Sequence, residues 1–222
     1  MTPLVSVIVP VHNGASFIGA ALASARAQSV NGLELIVVDD GSTDASADIA
    51  GEPEYGARLI RQENRGPAAA RNRGVATAQG RYLAFLDADD LWPEGRLAWQ
   101  LNCFAERPEV EMVQGVLQAI QAGSDGFAAV GEPHHAHSLS TALVLRSAFE
   151  RVGPLDETLR YCEDVDWFFS ASSCGLNIYR SDQLALLYRR HADNATNRHD
   201  LVRRYTLQVV ARHRRRSAAD KP

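Results

Sequence analysis

An α/β fold built on a doubly wound, mostly parallel sheet is what this 222-residue sequence predicts, from three observations. Short apolar runs alternate with segments of helical spacing through the first ninety residues, the pattern of successive strand–helix–strand units. The runs are continuous rather than alternating, as in strands covered on both faces. Two of the first four end without a spacer in paired carboxylates, which a parallel arrangement carries to one edge of the sheet.

In order, Leu4 to Val11 is the first strand, with Pro10 expected to mark its end because proline cannot donate to a ladder. His12-Asn13-Gly14 makes a turn. Residues 16–28 place Phe17, Ile18, Ala21, Leu22 and Ala25 on one helical face. Leu33 to Val38 is the second strand and runs into Asp39-Asp40-Gly41-Ser42-Thr43-Asp44, read as a turn and helix N-cap, with a short helix to about Ala50. Residues 58–61 form a brief third strand, and an alanine-rich helix spans 67–78. The fourth strand then delivers Asp87-Ala88-Asp89-Asp90. Beyond it, residues 94–106 are helical, 113–120 a strand and 123–126 a turn. The Gly-, Ala- and His-rich stretch 123–137 reads as the most mobile loop. A strand at 142–145, a short helix at 147–152 and a helix from Glu163 to Gly175 follow. A last strand covers 184–188, and a basic helix 200–216.

Bulk composition narrows the function classes. Hydrophobic content of 45% with 23% charged residues is ordinary for a water-soluble fold. The net charge of −4 conceals a tail, residues 198–222, at +6, and a body at −10. An acidic body repels phosphate, so no nucleic-acid partner is expected. No apolar run approaches the roughly 20 residues of a membrane span, and the N-terminus lacks the charged start of a signal peptide. Three widely spaced cysteines (Cys103, Cys162, Cys174) point to reduced thiols and a cytoplasmic location.

The segment 87–90 carries chemistry. Three carboxylates within four residues repel one another, and a divalent cation relieves that repulsion. Hard cations such as Mg2+ or Mn2+ take carboxylate oxygens and keep positions for phosphate. The alternative is a solvated turn capping the helix that begins near Pro93.

Five segments in order, SVIVPVHN (6–13), LIVVDDGSTD (35–44), QENRGPAAARNRGVATAQGRYLAFLDADD (62–90), FERVGPLDETL (149–159) and CEDVDW (162–167), make the chain resemble the family 2 glycosyltransferases. The resemblance covers nearly everything to about residue 191. It implies a GT-A fold of two abutting halves, residues 1–110 binding a nucleotide-sugar and 111–197 an acceptor, followed by the basic tail 198–222. It also implies an inverting, metal-dependent transfer to a glycan or lipid-linked acceptor. By position in the resemblance, Asp39 and Asp40 contact base and ribose, and Arg71 lies near the nucleotide. Pro10 and Val11 belong to the same nucleotide-binding set, and His12 either stacks under the base or fills space. Asp87 faces ribose and metal, Asp89 is the direct metal ligand, and Asp90 supports the loop or caps the next helix. His191, in Arg189-Arg190-His191-Ala192-Asp193-Asn194-Ala195-Thr196, either joins the metal site or is an ordinary loop histidine.

An inverting displacement also needs a base for the acceptor hydroxyl, which the resemblance assigns to Asp164. Its place in the first turn of a helix favours the ionised form. Glu163 and Asp166 are the alternatives. The aromatic face of Trp167 and Phe168 is expected in the core, and His134, His135 and His137 are expected on the surface rather than around zinc. The tail either attracts anionic lipid at the inner face of the cell membrane or, the favoured expectation, is a solvated and partly disordered terminus. Against transfer from a UDP-sugar stand two other classes. A sugar-nucleotide nucleotidyltransferase would need a glycine-rich, arginine-containing turn after the first strand, where this chain has His12-Asn13-Gly14. A non-catalytic binding protein would have no use for Asp87, Asp89 and Asp164 together.

Overall fold

The central strand β1 (Val5–Val11) runs between two parallel neighbours, β2 (Leu33–Asp40) and β4 (Tyr82–Phe85), in a computed structural model that describes residues 3–123 and 126–219. β3 (Arg58–Gln62) extends the parallel part beyond β2. β7 (Ala142–Leu145) then pairs antiparallel with β4, and β5 (Met112–Gly123) antiparallel with β7. β6 (Gly126–His134) lies antiparallel and β8 (Ile178–Arg190) parallel to β5. The path through the sheet is β3-β2-β1-β4-β7-β5-β6, with β8 beside β5. One sheet therefore spans both halves of the sequence.

Each face of the sheet has its own core, as the continuous apolar runs require. Val5, Val7, Val9 and Val11 meet Ile18, Ala21, Leu22 and Ala25 of α1 (Ala15–Arg26) and Leu97 and Phe104 of α4 (Arg96–Glu106). Ile8, Ile36, Leu83 and Phe85 face the other way. They meet Ala68 and Ala70 of α3 (Pro67–Thr77), Phe149 of α5 (Arg146–Val152), and Trp167 and Phe168 of α6 (Glu163–Ser173). Each buried Val, Leu, Ile or Phe among them contributes about 1.5–3 kcal/mol by burial. Gly74 lets α3 approach β1, since a Cβ there would lie 2.4 Å from Ile8 Cγ2. The expected core placement of Trp167 and Phe168 holds, with both 2% exposed.

Several expectations are corrected. β1 ends at Val11 as expected, with Pro10 lying inside the strand rather than marking its end. The Ile8 carbonyl accepts from Leu86 on the β4 side, so by strand alternation the missing donor of Pro10 faces that side too, beyond the point where β4 has ended. Asp39 and Asp40 are the last residues of β2 rather than an N-cap, and the following helix α2 (Ser46–Ala50) starts later. The stretch expected to be a mobile loop holds the exposed strand β6, whose small side chains show no two-residue period because solvent covers both faces. The centre of the expected turn before it, Ser124 and Asp125, lies outside the described residues. β8 is longer than residues 184–188 because polar edge residues such as Asp182 and Gln183 continue it.

The C-terminal helix α7 (His199–Ala219) is not a loose terminus. Val209 is fully buried, and the His213 ring stands 3.2 Å from the Asp166 carboxylate. Arg212 pairs with Asp156. Its inward residues recur at helical spacing, which the density of arginines masks in the sequence. Residues 220–222 lie outside the described residues. No helix among the described residues is long and apolar enough to cross a membrane.

Candidate active site

Because β1, β2 and β4 are parallel and in register, their carboxyl ends deliver Val11, Asp39 and the 87–90 segment to one edge; Val11 aligns with Asp39 and Ile8 with Phe85. Pro10 is half-buried and Val11 buried there, while His12 is exposed with Nδ1 3.0 Å from the Asp40 carbonyl.

The two β2 aspartates divide their work. Asp40 accepts from the Gln62 amide at 2.8 Å, from the Arg65 backbone N–H at 2.9 Å and from the Gly66 N–H at 2.8 Å. Its oxygens thus hold the turn that launches α3. Among the described residues Asp39 accepts only the local Ser42 N–H at 3.0 Å, with the Arg61 guanidinium 3.9 Å away.

The turn matters because α3 carries Arg71. Gly66, at φ 93°, and Pro67 start the helix, and Arg71 follows one turn later on its buried face. Its guanidinium spans the two halves of the sequence, donating to Asp87 at 2.5 Å and to Glu163 at 2.5 Å. Burial opposes the charge of Arg71, but Asp87, Glu163 and Asp164 outweigh it and raise its pKa. It is not a surface helix arginine. Asp87 is fixed from the other side by the Ser140 hydroxyl at 2.9 Å.

Asp89 is held differently. Its Oδ2 lies 3.1 Å from His191 Nε2, and the side chain remains 35% exposed. The His191 ring stacks on Phe17 with centroids 4.4 Å apart, and its Nδ1 is buried without a partner among the described residues. Asp90 is buried and accepts the Arg189 backbone N–H at 3.0 Å, so it supports the loop instead of capping a helix. Burial, with Asp89 and Asp87 close by, pushes its carboxyl well above the usual range.

The second acidic cluster opens α6. Cys162, at φ 62°, turns the chain into the helix, and Asp164 follows, half-buried beside Glu163. Burial first, then the Glu163 charge, pushes Asp164 up to about 7, against the pull of Arg71. This corrects the expectation from helix position alone. The partial charge of a helix N-terminus is worth about 0.3–1 kcal/mol on the surface and is outweighed here. Of the alternative bases, Glu163 is committed to Arg71, and Asp166 faces His213 and Arg212 away from the cluster.

The histidine-rich stretch does not gather. His135 meets Asp182 at 3.3 Å, His137 packs against Phe168 and Phe169, and His134 is exposed. Among the described residues no three His, Cys, Asp or Glu side chains enclose an ion by themselves. Sequence reasoning missed Ser140, Asn194 and the support given by Arg189. Only Arg189 and Asn194 had a signal, as neighbours of His191 in a quoted motif; Ser140 sits 53 positions from its partner with nothing to mark it.

A sheet of this order with carboxylates at one edge has the architecture of the GT-A glycosyltransferases, and solved structures carry the same fold. The S. aureus TarS fragment in complex with UDP-GlcNAc superposes with a TM-score of 0.73 at 20% identity, over 88% of this chain and 61% of that one. The mannosyltransferase PcManGT of Pyrobaculum calidifontis, solved with GDP-Man and Mn2+, gives 0.71 at 22% identity, over 100% of this chain and 66% of that one. A family model, glycosyl transferase family 2, matches residues 6–155, and the chain belongs to that family. An uncharacterized glycosyltransferase of Rickettsia prowazekii, RP339, is 31% identical over 218 residues, covering 88% of this chain and 67% of its own length. TuaG of Bacillus subtilis, named a putative teichuronic acid biosynthesis glycosyltransferase, is 44% identical over 109 residues, 47% of this chain and 43% of that one. This chain thus spans about two thirds or less of each of these proteins.

Proposed function

We propose that the chain transfers a sugar from a nucleoside-diphosphate sugar, UDP-linked in the first instance, to a hydroxyl of a glycan or lipid-linked acceptor, with inversion at the sugar carbon. The observation that carries this reading is the Arg71 bridge. It draws Asp87 from the strand-end cluster and Glu163 from the helix-start cluster onto one guanidinium, with Asp164 alongside.

The residues present fit a divalent cation. Asp89 is about a third exposed, an imidazole nitrogen lies 3.1 Å from it, and Asp87 is near in sequence and on the same loop. Two carboxylates and an imidazole are a hard, oxygen-rich set suited to Mn2+ or Mg2+. Ions of this kind are commonly held by one or two carboxylates and completed by substrate phosphates and water, so a full protein cage is not required. Asp89, Asp87 and His191 would hold the ion, which when bound offsets charge on the departing nucleoside diphosphate. Asp39 takes the nucleotide through ribose hydroxyls or a base N–H, over a floor formed by Pro10 and Val11. Asp40 contributes by holding residues 62–66, and through them α3 and Arg71. Arg71 orients Asp87 rather than reaching freely for phosphate.

Asp164 takes the proton of the acceptor hydroxyl as that oxygen attacks the anomeric carbon and the bond to diphosphate breaks. A carboxyl near 7 is matched to this task at neutral pH. Asp164→Asn is the test. It preserves shape and removes the proton acceptor, so turnover should fall about 10²- to 10⁴-fold while donor affinity, read by calorimetry, stays put. A variant that keeps more than about half its rate removes Asp164 from the role.

A further inference from the structure

A metal-binding loop needs its acidic side chains pointed outward before the ion arrives, although like charges push them apart. In residues 88–90 the backbone shows what opposes that push. The carbonyls of Ala88, Asp89 and Asp90 all turn inward onto the Arg189 guanidinium: Ala88 and Asp90 at 3.3 Å each, Asp89 closer still. The Phe17 carbonyl joins them at 3.1 Å, bringing in the helix whose ring stacks on His191. The Arg189 backbone N–H completes the contact by donating to the Asp90 carboxylate at 3.0 Å. Arg189 is 5% exposed, and its guanidinium is spent on backbone carbonyls.

Its next residues continue the same device. Asn194 donates to the Arg189 carbonyl at 3.1 Å and accepts the His191 N–H at 2.7 Å, closing the turn that sets the His191 ring against Asp89. Only arginine presents donors in a rigid planar fork able to serve several carbonyls at once; lysine offers a compact point charge on a flexible stem.

We propose that Arg189, braced by Asn194, is a positioning residue for the metal loop: an internal cation that binds the carbonyls of residues 88–90 and so presents the Asp87 and Asp89 carboxylates to an incoming ion. This rests on the metal reading above. Where carbonyls are gathered on one fixed guanidinium, the loop is arranged in advance, and the ion does not bear the cost of ordering it.

The test titrates Mn2+ into the full chain by calorimetry with UDP present, and with GDP in a parallel series. Arg189→Lys and Asn194→Ala are compared with the parent, with circular dichroism and melting temperature as folding controls. Groups that orient metal ligands typically contribute 10- to 100-fold in affinity. Folded Arg189→Lys should therefore bind Mn2+ about 10- to 100-fold more weakly, and Asn194→Ala about 10-fold. Activity lost in either should return as Mn2+ is raised, a recovery that a merely structural defect would not show. Variants that fold and bind Mn2+ within about twofold of the parent overturn the inference. If Arg189→Lys does not fold, Asn194→Ala decides, and parent-like affinity in it again overturns the inference. A parent that binds no Mn2+ with either nucleotide defeats the metal reading itself and this inference with it, an outcome distinct from variants that merely match a metal-binding parent.

Discussion

The two acidic clusters of this protein contain the same kinds of side chain in opposite surroundings. At the end of β4, Asp89 is left a third exposed, beside an imidazole and on a loop whose backbone is gripped from beneath. At the start of α6, Glu163 is 6% exposed and locked to a buried arginine, and Asp164 beside it is pushed up to about 7. An exposed carboxylate with an open oxygen is suited to a cation. A carboxyl whose charge is resisted by its surroundings is suited to accept a proton and release it again. Sequence alone marks both as acidic; only their environments set the two apart.

The Asp164→Asn substitution, with its loss of about 10²- to 10⁴-fold in turnover, is the largest expected break in this contrast. Next comes Asp89→Ala, which removes a carboxylate at a partly exposed loop position and should leave the fold intact. Metal-stimulated nucleotide binding should fall by at least about 10-fold, measured by calorimetry with and without Mn2+. Equal nucleotide affinity with and without the metal in both proteins would put the ligand assignment out of court.

Glu163→Gln sharpens the contrast from the other side. With Asp164 as the proposed base, activity depends on its ionised form, so kcat/KM should climb with pH through about 7. Removing the Glu163 charge takes away a cause that raises Asp164 and leaves Arg71, which lowers it, acting more strongly on it. Both changes move the Asp164 pKa down, so the acidic limb of the pH profile should shift to lower pH. An unshifted limb would dissociate that limb from this pair.

The smallest effect concerns α7, which braces the second cluster and leaves the first alone. Its inner side is spent on Asp156 and Asp166, while Arg203, Arg204, Leu207 and Arg214 face outward. Peripheral contact with anionic lipid through that outer side predicts that Arg203→Glu with Arg204→Glu reduces co-sedimentation with anionic vesicles. Each charge near such a surface is worth about 1 kcal/mol, and added salt should weaken the parent in the same way. Equal sedimentation of both proteins would confine the helix to its bracing role.

What could be read from the sequence follows the physics that is local. Strands β1, β2 and β4 announced themselves as apolar runs, and Asp39 and Asp87 as charges at the ends of such runs. β6 did not, because a strand exposed on both faces has no period to display. The inward side of α7 was hidden among arginines, and the partners of Asp87 were distributed over Arg71, on a helix, and Ser140, 53 residues away. Helix position is visible in a sequence and favours an ionised Asp164, while the burial and the Glu163 charge that push it up are not.

The Arg71 bridge also bears on how such proteins can be recombined. A designer who grafts another relative's second half onto the first half of this chain would cut between a guanidinium on α3 and its partner on α6, 92 positions later in the chain. A graft that brings a neutral residue to position 163 leaves a buried cation half-satisfied, and one that alters residue 71 leaves two carboxylates facing each other. Chimeras of this architecture therefore have to exchange Arg71 and Glu163 as one inherited unit, even though most of the exchanged surface lies elsewhere.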